Sequence, residues 1–357
     1  MKKINFIFKA LLLSGTIFLA SCSDDNDPVL PKGDYENGIL ISGEGSSAGS
    51  GSISYISDDY STSESKIFNK VNSTELGTFL QSVSFSGDNA YIVVDNQNSV
   101  TVVNRYTFQK TGQITDQLST PRYIAVVGNR GYVTNWGSTS DETDDFIAVI
   151  DMTTSSLVEK ISVGNGPERI KEKDGKLYVT HKGAFTNNNI VSVIDISTKN
   201  VATVTVKDRP DEMYFTSNNE LVVLSEGRTL YDSSFNVIGH TKAAIAKINT
   251  STNSVTSEIE FADEVHPGLM VVNNGKLYYT IGSDVFSMDV TASALPSTKL
   301  LTAVDGFLYG FEVRDGKLYA LDASFSDVSK LNIFDLSTTD KTKTMDAPLG
   351  ASKIYFN

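Results

Sequence analysis

Cysteine, tryptophan and histidine are almost missing from this chain. One Cys, one Trp and three His occur among 357 residues. A single Cys excludes a disulfide framework within the chain and leaves nothing for a Cys-based zinc site. His181, His240 and His266 lack close ligand spacing, which argues against a zinc site built from imidazoles. Positive charge is also scarce: 43 acidic residues stand against 30 Lys plus Arg, for a formal charge of −13. Such a surface repels nucleic acid, and none is expected as a partner. Beyond the N-terminus no apolar run is long enough to cross a bilayer. Hydrophobic residues at 40% and charged residues at 20% are ordinary for a globular chain.

The lone Cys gives the N-terminus its meaning. Lys2, Lys3 and Lys9 precede the mostly apolar stretch Ala10 to Leu19, and small residues follow. Leu19-Ala20-Ser21-Cys22 resembles the bacterial lipobox, which implies a signal peptide over residues 1–21 and lipidation of Cys22. Ser23-Asp24-Asp25-Asn26-Asp27 resembles the acidic surface-export signal of Bacteroidota lipoproteins. Residues 22–37, with Pro28 and Pro31, then read as a flexible, lipidated acidic tether. The expected location is the outer membrane, on the cell surface, with lipid chains as the anchor.

From residue 38 onward one pattern recurs. A turn of Gly, Asn or Asp precedes a short apolar strand, as in Gly128-Asn129-Arg130-Gly131-Tyr132-Val133-Thr134 and Asp315-Gly316-Lys317-Leu318-Tyr319-Ala320-Leu321. Ile39, Tyr91, Tyr132, Tyr178, Leu221, Tyr278 and Tyr319 mark seven copies spaced 41 to 57 residues apart, a period typical of propeller blades. Partner strands recur in phase, among them Phe146–Asp151 and Ile190–Asp195, and several end in Asp followed by Ser or Thr, which closes a turn with its own side chains. Pro121, Pro167, Pro210 and Pro267 stand ahead of the next copy's first strand. Ala351–Asn357 is left over as one more strand. The expected fold is therefore all-β: a seven-bladed β-propeller over residues 38–357, its ring closed by the C-terminal strand pairing in the N-terminal blade.

Tyr132-Val133-Thr134-Asn135 and Tyr178-Val179-Thr180-His181, together with Gly166-Pro167-Glu168 and Val193-Ile194-Asp195, resemble the YVTN repeat of YncE-like seven-bladed propellers. With the lipoprotein N-terminus, the whole chain is similar to the BtuG-like surface lipoproteins of Bacteroidota. That resemblance implies a non-enzymatic protein that binds cobalamin (vitamin B12) or other corrinoids and delivers them to a TonB-dependent, BtuB-like outer-membrane transporter. Cobalamin would be the transported ligand rather than a cofactor.

The loops entering each first strand and leaving each second strand share one face of a propeller. That face is expected to carry Arg122, Tyr123, Glu168, Arg169, Arg209, Asp211 and His266 from the entries. From the exits come Glu44, Asn96, Asn135, Trp136, His181, Lys182, Glu226, Arg228 and Asp322, with Phe185 in the loop beginning at His181. Of these, Asn135, Trp136, His181, Lys182, Phe185, Arg122, Tyr123, Arg169, Arg209, Glu226, Asp322 and Asn96 are the candidate ligand-binding residues. Amides, charges and aromatic rings together suit an amphipathic ligand. The arginines serve equally well as clamps between blades. The Asp141–Asp145 run reads as a solvated loop tip. No G-x-S-x-G elbow between strand and helix and no H-E-x-x-H helix is apparent. A surface glycan-binding lipoprotein or another transporter-accessory propeller is the alternative, although only Trp136 suggests an aromatic platform.

Overall fold

The computed structural model describes residues 31–357. Seven four-stranded antiparallel sheets form the blades of a β-propeller. Local chemistry explains the repeat. Asp174-Gly175, Asn274-Gly275 and Asp315-Gly316 each place two successive residues at positive φ. That is the type I′ geometry whose twist suits a two-residue hairpin, so the innermost strand turns directly into the second. After the third strand, Asp195 Oδ1 accepts the backbone N–H groups of Ser197 and Thr198, and Asp151 and Asp335 do the same for Thr153 and Ser337. These side chains build the turn into the outer strand.

The innermost strands of blades 2 to 7 are Leu80–Ser86, Pro121–Val127, Pro167–Lys173, Pro210–Phe215, Met270–Asn273 and Leu308–Arg314. Pro121, Pro167 and Pro210 open their strands, where no ladder N–H is required. Pro267 lies three residues ahead of its strand. In blade 1 the innermost strand is Ala351–Phe356, paired antiparallel to Gly38–Gly43, so the chain's C-terminal strand closes the ring. The outer strand of that blade is reduced to Ser63–Glu64 and followed by the helix Ile67–Asn72. The sequence pattern gave no 3.6-residue period for this helix, which is too short to show one.

The core lies between blades. Second-strand Tyr91, Tyr132, Tyr178, Tyr278 and Tyr319 are buried, and Tyr178 meets Phe215 of the next blade edge-on at 5.3 Å between ring centroids. Tyr319 of blade 7 meets Phe356 at the same distance, so the closing strand is packed as well as hydrogen-bonded. Such aromatic pairs add about 0.5–1.5 kcal/mol beyond the area they bury.

The segments expected to be a signal peptide and an acidic export signal, with Cys22 between them, lie outside the described residues. The end of the expected tether belongs to the propeller surface rather than to a free linker. Tyr35 is buried against Tyr55 and Phe108, its N–H donates to the Tyr106 carbonyl at 2.9 Å, and its hydroxyl donates to Glu64.

Candidate functional site: the channel and its mouth

A recurrent irregularity builds the channel. The register between first and second strands slips by one residue at Leu80/Ser82, Pro121/Ile124, Pro167/Ile170, Pro210/Met213 and Leu308/Gly310. An extra residue at a bulge turns neighbouring side chains to the same side. Arg122-Tyr123, Glu168-Arg169 and Asp211-Glu212 consequently line a central cavity of about 470 Å³ as adjacent pairs. Tyr309, Glu312, Lys353 and Tyr355 complete the opposite wall.

Ion pairs link the blades around this wall. The Arg122 guanidinium forms a two-pronged pair with Glu168 at 3.0 Å and reaches Asp95 at 3.0 Å, joining blades 2, 3 and 4. Arg169 holds Asp211 at 2.7 Å and also Glu212. Lys182 bridges Asp211 at 2.9 Å and Glu226 at 2.6 Å, and Arg209 stands 3.4 Å from Glu226. Burial opposes the charge on Asp211, but Arg169 and Lys182 hold its carboxyl well below the ordinary range. Arg122 and Arg169 thus serve as inter-blade clamps that also line the channel, whereas Arg209 pairs with Glu226 within blade 5.

Two lysines lack such partners. Lys171, on the same strand as Arg169, and Lys353, on the opposite wall, have no carboxylate within 4 Å among the described residues; Lys171 sits 4.1 Å over the Tyr214 ring and Lys353 faces Tyr123 at 5.8 Å. Burial lowers Lys171 to about 8 and raises Glu312 to about 7. Glu44 accepts a hydrogen bond from the Tyr309 hydroxyl. Lys171, Glu212, Tyr214, Tyr309, Glu312, Lys353 and Tyr355 were not picked out from the sequence. The first-strand bulge is the signal that would have found most of them.

Several expected ligand contacts are structural instead. Asn135 is fully buried: its Oδ1 accepts the Ser119 N–H and its Nδ2 donates to the Val133 carbonyl. His181 is fully buried too, with Nδ1 donating to the Asn165 carbonyl at 3.1 Å and Nε2 accepting from Ser192 at 2.8 Å. Burial depresses it to about 4, so it is neutral with both nitrogens engaged and no lone pair left for cobalt. Asp322 accepts the Phe307 N–H, and Asn96 is exposed on the short turn Asp95–Gln97 away from the channel wall. Trp136 lies at the mouth, sandwiched between the Arg122 guanidinium at 3.7 Å and the edge of Phe185 at 5.6 Å. The Asp141–Asp145 run is not wholly a solvated tip: Asp145 is 1% exposed and accepts the Gly166 N–H. Gly166, at φ 66°, lets the Gly183–Ala184 backbone approach closely, a Cβ there falling 2.1 Å from the Ala184 nitrogen. This contact sets the loop that carries Phe185. The letters of G-x-S-x-G do occur, at Gly45-Ser46-Ser47-Ala48-Gly49, but they lie in a loop after a strand with no helix following, so no nucleophile elbow forms.

Around the mouth a second, shallower cleft of about 680 Å³ opens between blades 4, 5 and 6, lined by Phe185, Arg209, Glu226, Arg228, Tyr231 and His266 among others. Its outer wall is the hairpin Arg228–Tyr231 and Val237–Thr241, inserted between the second and third strands of blade 5. Six aromatic side chains project from the loops and the hairpin on this face: Phe79, Phe185, Tyr231, Phe235, Phe307 and Phe325 are each at least 42% exposed. The sequence offered only Trp136 as a platform; the structure supplies a rim of Phe and Tyr.

Residues 37–141 match the family described as "Domain of unknown function (DUF5074)". No curated protein is significantly similar in sequence. Among solved structures, the chain resembles Kuenenia stuttgartiensis hydrazine synthase at TM-score 0.58 and 19% identity, over 72% of this chain and 77% of that one. The computationally designed Ika8 protein matches at 0.58 and 12%, over 91% and 92%. Dihydro-heme d1 dehydrogenase NirN in complex with DHE matches at 0.57 and 12%, over 91% and 76%. At these identities the likeness is one of fold. Two of the three are named as enzymes, so the fold alone leaves both binding and catalysis open.

Proposed function

We propose that this protein is a non-enzymatic surface lipoprotein that captures a corrinoid such as cobalamin on the channel-mouth face and hands it to a TonB-dependent outer-membrane transporter. The observation that carries the reading is the aromatic rim set around a polar, ion-paired mouth. Cobalamin has apolar ring edges and a fringe of amides. Exposed Phe and Tyr rings cover the first, and Arg209, Glu226, Arg228 and backbone groups of the cleft pair with the second. Unpaired, each buried amide costs about 1–3 kcal/mol, so such a ligand needs a mouth of this mixed character.

Calorimetry of the purified protein with cobalamin and with cobinamide tests this. Saturable heat with weak salt dependence is expected, because the ligand has no large net charge. No heat with either, together with binding of a polysaccharide, assigns the aromatic rim to the glycan-binding alternative, which the six exposed rings also suit. The anchor is tested separately. Cys22→Ala should move the protein out of the membrane fraction, and replacing Asp24, Asp25 and Asp27 by Ala should keep it lipidated but shielded from protease added to whole cells.

A further inference from the structure

Two charges on the channel wall stand unmatched. Arg122, Arg169 and Lys182 each pair with carboxylates, and Glu44 takes the Tyr309 hydroxyl. Lys353 and Glu312 also line the channel, from the innermost strands of the neighbouring blades 1 and 7. Yet among the described residues Lys353 has no carboxylate, and Glu312 no ammonium or guanidinium, within 4 Å, each other included. Register explains why they miss each other. Both strands slip after their opening residues, Ala351 and Leu308, so Gly310 is the counterpart of Lys353. Glu312 lies two residues deeper, roughly 6–7 Å along the strand. At Gly310 a Cβ would fall 2.2 Å from the Ser352 carbonyl oxygen, so the two strands run side by side. Burial opposes both charges: it lowers Lys353 and raises Glu312 to about 7. A buried charge without a partner is costly. Gln81, 7% exposed, and the Tyr214 hydroxyl line the same channel with no side-chain hydrogen-bond partner among the described residues.

We propose that the channel binds a small zwitterion, an amino acid whose carboxylate meets Lys353 and whose ammonium meets Glu312. One free cation and one free anion at different depths are complementary to a molecule that carries both charges at its two ends. A simple anion would match Lys353 but leave Glu312 bare, in a lining where six carboxylates stand against four cations. A simple cation would match Glu312 and leave Lys353 bare. A zwitterion satisfies both and changes the net charge of the channel by nothing. Gln81 and the Tyr214 hydroxyl supply further hydrogen bonds, and the rings of Tyr123 and Tyr214 flank the stem of the ligand. The site lies below the mouth, and it does not depend on what the aromatic rim captures.

Calorimetry on the full chain at neutral pH tests this with glycine, β-alanine and γ-aminobutyrate, which differ in the distance between their charges. Acetate and methylammonium serve as single-charge controls. Saturable binding of at least one zwitterion, at least tenfold tighter than either control, is the expected result, and this comparison needs no variant. Lys353→Met and Glu312→Gln should each weaken that binding at least tenfold. Lys353→Arg keeps the charge and should keep the binding, which separates loss of charge from loss of fold. No binding of any of the three zwitterions overturns the proposal and leaves both side chains to water. Acetate or methylammonium binding as tightly as the zwitterion overturns it in favour of a site for one charge. Zwitterion binding that survives both Lys353→Met and Glu312→Gln, or that is lost equally in Lys353→Arg and Lys353→Met, overturns the assignment to this pair. None of these outcomes alters the result expected with cobalamin.

Discussion

The last residue, Asn357, is clasped by Arg105 of the second blade: Arg105 Nε donates to Asn357 Oδ1 at 2.7 Å, and Asn357 Nδ2 donates to the Arg105 carbonyl at 2.8 Å. The Asn357 N–H also donates to the Gly38 carbonyl at 2.8 Å. Closure is therefore held on three sides, by the ladder to Gly38–Gly43, by Phe356 against Tyr319, and by this terminal amide. Deleting residues 351–357 removes the innermost strand of blade 1, and a cooperative unfolding transition at the full-length midpoint is not expected to survive. Asn357→Ala alone should cost about 1–2 kcal/mol in denaturant titration. An unchanged midpoint for the deletion would refute closure as a source of stability.

Blade number and strand positions were legible because each depends on local chemistry that recurs from blade to blade, and ring closure because one strand, Ala351–Phe356, was left without a blade of its own. Asp-Gly and Asn-Gly turns, Asp-Ser/Thr turns and the Pro at strand starts all have short-range causes. The site was legible in part. Arg122, Tyr123, Arg169, Lys182 and Glu226 do face the channel. Asn135 and His181 do not, for a reason the spacing hides. Each ends its strand opposite Pro121 or Pro167, where the bulge leaves loop backbone groups without ladder partners. Their side chains supply those partners at Ser119 and Asn165. The approach of His240 Nδ1 to His266 Nε2, at 2.9 Å, depends on where an inserted hairpin folds, which no period encodes.

Arg122 is expected to matter more for folding than for ligand. It is 12% exposed in its side chain, and Glu168 opposite is 6% exposed. Arg122→Ala strands a buried carboxylate and should destabilise the protein by about 3–5 kcal/mol. Arg122→Met combined with Glu168→Gln should lose less than Arg122→Ala alone. Urea titrations of the three proteins check this, and equal losses would show that the pair is not the source.

His181→Ala should behave as a core lesion. It removes the partners of Ser192 and Asn165 and leaves a void, for a loss of about 1–3 kcal/mol. Ligand affinity at a temperature where the variant remains folded should equal that of the parent. A selective loss of affinity would return His181 to the binding surface.

Asp145 gives the protein a pH signature. Burial raises its carboxyl to about 7, and Asp144 and Asp141 push the same way, against the Gly166 N–H that favours the ion. The folded-state value lies above the unfolded one near 3.9, so the unfolded chain releases this proton first. This group's contribution is fully present below about pH 4 and is lost as pH rises through 7. Asp145→Asn should therefore raise the melting temperature by a few degrees at pH 8 and by much less at pH 5. Parallel melting curves at both pH values suffice, and an equal shift at each would remove Asp145 as the titrating group.

The aromatic rim should separate binding from stability. Phe185 and Phe307 are 53% and 52% exposed, so folding buries only about half of each ring. Phe307 stacks on Tyr309 at 5.0 Å and Phe185 touches Trp136, which orients the rings without enclosing them. Truncating a ring that a ligand covers costs about 1–3 kcal/mol of binding, and truncating one it does not touch costs almost nothing. Phe185→Ala and Phe307→Ala should each weaken cobalamin binding by about that amount with melting temperatures close to the parent's. The two rings lie on opposite sides of the mouth, next to blades 4 and 7, so their effects should add in the double variant. A loss confined to Phe185→Ala would place the ligand in the cleft between blades 4 and 6 alone. Affinity unchanged in both would detach the ligand from this face.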